Sequence, residues 1–348
     1  MSVLIQDVEA IAEKEDLSLL GGKTILVSGA TGLIGKTFVL SVLAWNQMHH
    51  NAIRIKAIVR DVLKAGNLFS EYYPNYGECL DFIEGDICTT DLKEVLADYI
   101  IHAANPTSSR EFVEKPVETI RVALDGTRNM LECARRNSGS RLIYLSTMEV
   151  YGSPSDGEKI KESHGTDLDT MSVRTSYPES KRMCEALCKA YSSEYGVGVQ
   201  ILRLTQTFGP GVLWTDGRVF AEFARCAVEG RDIVLKTKGL TERCYLYTAD
   251  AVRSIFTVLL SDRCNDVYNV ANEDTYCSIF EMAELVANKI AGGRIRVRVE
   301  EDEKAASVYA PTLHMNLDTA KIRELGWKPE KNLLEMFKSM ISDMNSGE

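Results

Sequence analysis

The residues best equipped for acid–base chemistry are Tyr177 and Lys181, in Tyr177-Pro178-Glu179-Ser180-Lys181. They stand at the start of a long helical pattern, and on a helix positions i and i+4 share a face. An ammonium beside a phenol lowers the phenol's pKa, because the phenolate gains an opposite charge. A tyrosine tuned in this way takes or gives a proton near neutral pH. Thr147 stands upstream, in Leu145-Ser146-Thr147-Met148-Glu149-Val150-Tyr151-Gly152. That segment follows a strand-like run, at the carboxyl end where α/β sheets bind ligands. There the Thr147 hydroxyl can hydrogen-bond the same substrate oxygen that Tyr177 deprotonates. Taken singly, each motif also fits a plainer reading: a solvated Tyr–Lys pair and a strand-end turn hydroxyl.

A third group of residues lies near the start, in Thr24-Ile25-Leu26-Val27-Ser28-Gly29-Ala30-Thr31-Gly32-Leu33-Ile34-Gly35. The apolar run reads as a buried parallel strand, and a helical pattern begins just past Gly32. Gly29 allows the tight turn, Gly32 lets backbone approach a ligand's phosphates, and Gly35 lets the helix lie against the sheet. The helix N-terminus offers free N–H groups and partial positive charge to an anion, here a dinucleotide pyrophosphate.

These residues need a scaffold, and the periodicity predicts one. Strands are expected at 24–27, 53–59, 80–84, 99–104, 141–146 and 199–204. Helical patterns alternate with them, including 92–96, 114–137 and 178–195. This alternation predicts an α/β fold with a doubly wound parallel sheet of the Rossmann type. The expected division is an N-terminal helical extension (1–20), a dinucleotide-binding domain (21–208) and a smaller C-terminal substrate lobe (209–348), with chain crossings between the lobes. Trp327 is expected to pack that last lobe. The stretch 152–172 reads as a loop, and the last few residues are expected to fray.

Bulk properties narrow the class. With 45% hydrophobic and 26% charged residues over 348 positions, the chain reads as an ordinary soluble globular protein. A net charge of −10 argues against nucleic acid or an anionic membrane as partner. No apolar run reaches membrane-spanning length, and the N-terminus has no basic segment of a signal peptide. Nine scattered cysteines without a C-x-x-C pair point to a reduced cytoplasm. Cys184 and Cys188 suggest a buried stripe; with no third ligand nearby, no metal site is expected.

In combination these motifs resemble the extended short-chain dehydrogenases/reductases that act on nucleotide sugars, from about residue 22 to 340. The resemblance rests on Gly29/Gly32/Gly35, Gly85-Asp86-Ile87, His102-Ala103-Ala104, Thr147 with Val150-Tyr151-Gly152, Tyr177/Lys181 and Phe208-Gly209-Pro210. Within that family the chain is similar to UDP-glucuronate decarboxylases, through Thr147-Met148-Glu149-Val150-Tyr151-Gly152, Asp216-Gly217-Arg218-Val219 and Arg243. The dTDP-glucose 4,6-dehydratases place an aspartic acid where Met148 stands, and Met148 cannot protonate a leaving hydroxyl.

The resemblance implies the following chemistry. Tyr177 removes the proton of the sugar 4-hydroxyl as the C4 hydride passes to a bound nicotinamide, and Thr147 holds O4. The 4-ketone then eases loss of CO2 or of a C5 proton, with Glu149 as second-step base or positioning group. The implied catalytic set is Thr147, Glu149, Tyr177 and Lys181. The implied cofactor contacts are Gly29, Thr31, Gly32, Leu33, Ile34, Gly35, Arg60, Asp86, Ile87, Ala103 and Ala104, with Tyr177 and Lys181. Asn105, Gln206, Arg218 and Arg243 are the implied substrate contacts. A homodimer through helices 114–137 and 178–195 is implied too.

Several positions depart from the family pattern. Met148 replaces a polar residue, Ala123 an asparagine that supports the lysine through water, and Gln206 an asparagine at the diphosphate; no arginine precedes Pro311. After the second strand Arg60 comes before Asp61. Arg60 and Lys64 could receive a 2′-phosphate and so favour NADP, yet Asp61 could reach the ribose and the resembling enzymes mostly retain NAD, so NAD is expected. A UDP-glucuronate decarboxylase-like reaction is therefore expected, with a 4-epimerase or 4,6-dehydratase as alternatives. A net NADP-dependent carbonyl reductase is the alternative of another class.

Overall fold

The structure, a computed structural model, describes residues 2–50, 52–106, 109–154, 158–301 and 312–346. The first half runs α1 (Val3–Lys14), β1 (Thr24–Ser28), α2 (Leu33–His49), β2 (Arg54–Val59), α3 (Val62–Tyr72), β3 (Leu80–Glu84), β4 (Tyr99–His102), α4 (Ser109–Glu114), α5 (Pro116–Arg136) and β5 (Arg141–Thr147). Next come α6 (Ser176–Tyr195), β6 (Gly198–Leu204), β7 (Gln206–Phe208), α7 (Val219–Glu229), β8 (Ile233–Leu235), β9 (Glu242–Tyr247), α8 (Thr248–Leu260) and β10 (Asp266–Val270). The chain finishes with β11 (Asn272–Ser278), α9 (Ile279–Leu285), β12 (Val297–Val299), β13 (His314–Met315), α10 (Ala320–Arg323) and α11 (Leu333–Ser346).

The main sheet has seven strands in the order β10-β6-β5-β4-β1-β2-β3, all paired in parallel. This is the doubly wound fold that the alternation predicts. Helices cover both faces, as strands apolar on both sides require. One face buries α1, α2 and α8, with Phe38 stacked on Phe256. The other buries α5 and α6, where Cys184 and Cys188 are fully enclosed. A second core gathers α7, α9 and α11 around Phe208, Phe220 and Phe337. Beside it lies a four-stranded sheet of β7, β9, β11 and β13.

Two expectations need correction, the helix at 92–96 and the place of Trp327. Residues 92–96 form no helix: the Asn137 side chain donates to the Val95 carbonyl (2.9 Å) and accepts from Ala97 N–H (3.3 Å), pinning the segment to the end of α5. The long helix expected at 114–137 is α5, with Pro116 in its first turn, and the short α4 precedes it. Trp327 packs in the core of the main sheet and donates to the Asp250 carbonyl (3.0 Å). The structure adds a fourteen-residue helix, α11, whose Met336, Phe337 and Met340 are fully buried, and the final residues 347 and 348, where fraying is expected, lie outside the described residues. Strand β10 was not foreseen either. Among the described residues no helix is long and apolar enough to cross a membrane.

Candidate active site

The glycine turn closes around a bare backbone. Gly29 sits at φ +73°, and a Cβ there would lie 2.7 Å from the Ala104 nitrogen. A Cβ on Gly35 would lie 2.2 Å from the Gly29 carbonyl oxygen. Glycine is therefore required at both positions, and Ala103 and Ala104 at the end of β4 press directly on the turn. Gly32 is the N-cap of α2 and has no capping side chain, so no side chain takes the first-turn N–H groups around Leu33, Ile34 and Gly35. Thr31 is exposed beside them. The cradle is one that an anion such as a pyrophosphate fits.

Buried His102 anchors the floor of this cradle. Its Nδ1 lies 2.7 Å from Ser28 Oγ and its Nε2 3.1 Å from Thr127 Oγ1, joining β1, β4 and α5. Burial pushes its pKa down to about 3, so the ring is neutral. Farther out, Arg60 and Asp86 are exposed at the ends of β2 and β3. The Cys88 N–H holds the Asp86 carboxyl below its ordinary range, and Arg121 and Arg60 add to the effect. Ile87 packs against Gly126, and its carbonyl accepts from Asn129 (2.9 Å). Asp61 caps α3 by accepting from the Lys64 N–H (2.8 Å), which engages one oxygen of the carboxylate that could have reached a ribose.

Helix α6 carries Tyr177 and Lys181 past the carboxyl end of β5, where Thr147 is the last strand residue. Thr147 Oγ1 accepts from the Glu149 N–H (3.3 Å) and opens a 3-10 turn over Met148–Tyr151. Lys181 Nζ donates to the Leu145 carbonyl (2.6 Å) and lies 4.4 Å from the centre of the Tyr144 ring. Burial brings its pKa down to about 8.

The phenol departs from expectation. Burial pushes its pKa well above the ordinary value and Glu149 adds to this; Thr147, Arg174 and Asn105 pull the other way. The shared helix face does not place Lys181 as its leading neighbour, because the amine is drawn to the Leu145 carbonyl. Two residues that the sequence reading passed over complete the surroundings. Phe112 of α4 stacks on the Tyr177 ring, with centres 4.2 Å apart and planes within 3°. Arg174, on a 3-10 turn just before α6, pairs with Glu149 at 2.9 Å. The only signal in the sequence was an arginine one turn ahead of the tyrosine.

Asn105 Nδ2, Gln206 Oε1 and Arg243 Nε are among the buried polar atoms without a hydrogen-bond partner. Buried groups of this kind ordinarily find partners, so their state fits a polar ligand. Gln206 and Arg243 lie on paired strands β7 and β9. Arg218 is held by Asp216 through Nε (3.0 Å) and Nη2 (2.6 Å). Met148 is buried, its sulfur accepting from Thr205 Oγ1 (3.1 Å), so no acid stands between Thr147 and Glu149. Ala123 is buried against Cys184, which donates to its carbonyl (3.2 Å). The position before Pro311 lies outside the described residues.

Known proteins resemble this chain in sequence and in fold. The chain is 29% identical over 323 residues to UDP-glucuronic acid decarboxylase 6 of Arabidopsis thaliana, covering 92% of this chain and 88% of the relative. It is 28% identical over 310 residues to UDP-glucuronic acid decarboxylase 1 of Xenopus tropicalis, covering 88% and 68%. Among solved structures, the UDP-glucuronic acid 4-epimerase of Bacillus cereus in complex with UDP-glucuronic acid and NAD superposes with a TM-score of 0.78 at 22% identity, over 93% of this chain and 100% of that one. The dTDP-glucose 4,6-dehydratase DesIV of Streptomyces venezuelae, with NAD and TYD bound, gives 0.77 at 22% identity, over 93% and 97%. At that identity the two structures speak for the fold alone. A family model matches residues 25–271, which span the glycine cradle, Thr147, Tyr177, Lys181 and the seventh sheet strand, and so the chain belongs to the NAD dependent epimerase/dehydratase family.

Proposed function

We propose that this protein modifies a nucleotide-diphosphate sugar through its C4 carbinol, with NAD held in the glycine cradle, and that its reaction is a UDP-glucuronate decarboxylation. The observation that carries this reading is the placement of Tyr177 at the start of α6, beside the carboxyl end of β5 with Thr147 and the Glu149–Arg174 pair. A bound nicotinamide dinucleotide supplies reversible two-electron oxidation at C4. The remaining work falls to the chain's own side chains. Tyr177 takes the proton of the 4-hydroxyl through its phenol oxygen, and Thr147 hydrogen-bonds the same substrate oxygen. Lys181 keeps a positive charge one helical turn away. Arg243 offers its orphaned Nε–H to the diphosphate, whereas the orphaned Gln206 Oε1 is an acceptor and suits a donor such as a hydroxyl of the sugar nucleotide.

Once C4 is a ketone, the C6 carboxylate is β to it. The C5–C6 bond breaks, CO2 leaves, and the electron pair passes to C5 and the ketone oxygen as an enolate. A proton returned to C5 completes the decarboxylation, with Glu149 near the start of α6 to hold or move it, and reduction of the C4 ketone by the same two electrons, with Tyr177 giving the proton back to O4, would restore the alcohol and leave no net consumption of cofactor. Support for decarboxylation over dehydration comes from Met148, which has no proton to give a leaving hydroxyl and is buried under Thr205.

The test is incubation of the purified protein with a panel of UDP and dTDP sugars, read by mass spectrometry. Loss of CO2 from UDP-glucuronate is expected, without stoichiometric consumption of added cofactor. Isomerisation or loss of water instead would move the assignment to an epimerase or a dehydratase. Stoichiometric cofactor consumption would move it to a net reductase.

A further inference from the structure

We propose that Arg174 and Phe112 form a brace that positions Tyr177 and Glu149 for proton transfer. Phe112 lies flat on the phenol ring at 4.2 Å, and the Arg174 guanidinium sits 5.2 Å from the centre of the Phe112 ring. The same guanidinium reaches Glu149 at 2.9 Å. Ser176, the first residue of α6, donates to the Phe112 carbonyl (2.9 Å), so the backbones that carry the two rings are tied together as well. The brace rests on the reading of Tyr177 as the proton acceptor.

Three features separate this arrangement from an ordinary surface ion pair. Both side chains are largely buried, at 21% exposure for Arg174 and 26% for Glu149. A carboxylate beside a phenol opposes its ionisation, so a nearby Glu149 works against Tyr177 unless its charge is answered. Arg174 answers it, and it lies among the groups that pull the phenol's pKa down. The cation also lies over a ring that stacks on the reacting residue, so movement of Arg174 loosens both contacts. The groups facing Tyr177 are Thr147 and Glu149 from the end of β5, Asn105 from the loop after β4, Arg174 from the 3-10 turn and Phe112 from α4. Tyr144 of β5 is coupled to the phenol, and Lys181 shares its helix.

The test uses the full-length protein with 3-fluorotyrosine in place of tyrosine, because fluorination makes the phenols more acidic and brings Tyr177 into a measurable range. The Tyr177 resonance is assigned by its loss in Tyr177→Phe and titrated by fluorine NMR. In Arg174→Met the line is expected to titrate about one pH unit higher, at the lower end of what a neighbouring charge does. Arg174→Lys should fall between the two. Glu149→Gln should move the line down, and the double variant Arg174→Met/Glu149→Gln should return it towards the parent. Phe112→Leu should displace the line at every pH, because the ring face is gone. A line that titrates with the parent in Arg174→Met, or in Glu149→Gln if the first variant does not fold, overturns the brace. The nucleotide-sugar panel runs on the parent protein separately. A silent panel with a moved line removes the functional reading and leaves the brace; turnover with an unmoved line does the reverse.

Discussion

As the proposed proton acceptor, Tyr177 has to be both buried and ionisable, and these demands conflict. Burial alone moves its pKa away from neutrality, and Glu149 moves it further. The opposing pull comes from three side chains on three different segments: Thr147, Arg174 and Asn105. Tyr177→Phe keeps the stack on Phe112 and removes only the oxygen. We therefore expect turnover to fall by about 10²- to 10⁴-fold, the range of a lost general acid–base group, with unchanged thermal unfolding. Single-turnover kinetics beside a melting curve check both halves of that expectation. Lys181, brought to about pH 8 by burial, changes charge within the working range of such an enzyme. Its bond to the Leu145 carbonyl fixes where that charge sits.

At the level of elements, the site depends on how closely β1, α2 and β4 approach one another. Gly35 meets the Gly29 carbonyl with no room for a methyl group. Gly35→Ala should push the first turn of α2 off the sheet, at a cost of about 1–3 kcal/mol. It should also weaken dinucleotide binding more than it weakens the fold. Calorimetric titration with NAD and urea unfolding of the same variant separate the two effects. The turn between β5 and α6 makes the complementary contribution, placing Thr147 and Glu149 opposite the start of α6. Neither contribution appears as a periodic signal, because both depend on where backbones approach.

At the scale of the whole molecule, α1 and α11 close the joint between the two cores. Asp7 of α1 accepts from the Tyr247 hydroxyl (2.5 Å) at the end of β9. Asp343 of α11 accepts from the Gly211 N–H (2.7 Å) and the Leu4 N–H (3.3 Å). Burial raises the Asp7 carboxyl from 3.8 to about 6. Its folded value lies above its unfolded one, so its contribution to stability is complete below about pH 4 and is lost as pH rises through about 6. Asp7→Asn should therefore stabilise the protein at pH 8, by roughly 2 kcal/mol, with the gain disappearing towards pH 4. Urea unfolding at pH 8, 6 and 4.5 tests both the sign and the window. Outward on α5 and α6, Val117 (77% exposed) and Met183 (58%) leave apolar surface in the open. A homodimer through these helices is expected to become monomeric in Val117→Glu/Met183→Glu, as light scattering would report.

The sequence by itself determined the parallel sheet and the glycine turn, and it singled out Thr147, Glu149, Tyr177 and Lys181 as candidates. Strands buried on both faces show as continuous apolar runs, and turns that need glycine show as glycine. It was silent about β10 and α11 and misplaced Trp327, since short elements and lone aromatics take their partners from distant parts of the chain. The pairing of Arg218 with Asp216 was not read from the sequence. Lys181 looked like the phenol's main neighbour until the Leu145 carbonyl was seen to draw its amine away. Only the tertiary structure could bring Phe112, Arg174 and Glu149 to Tyr177, because the field at a buried phenol is set by distances through space, which spacing along the chain does not encode.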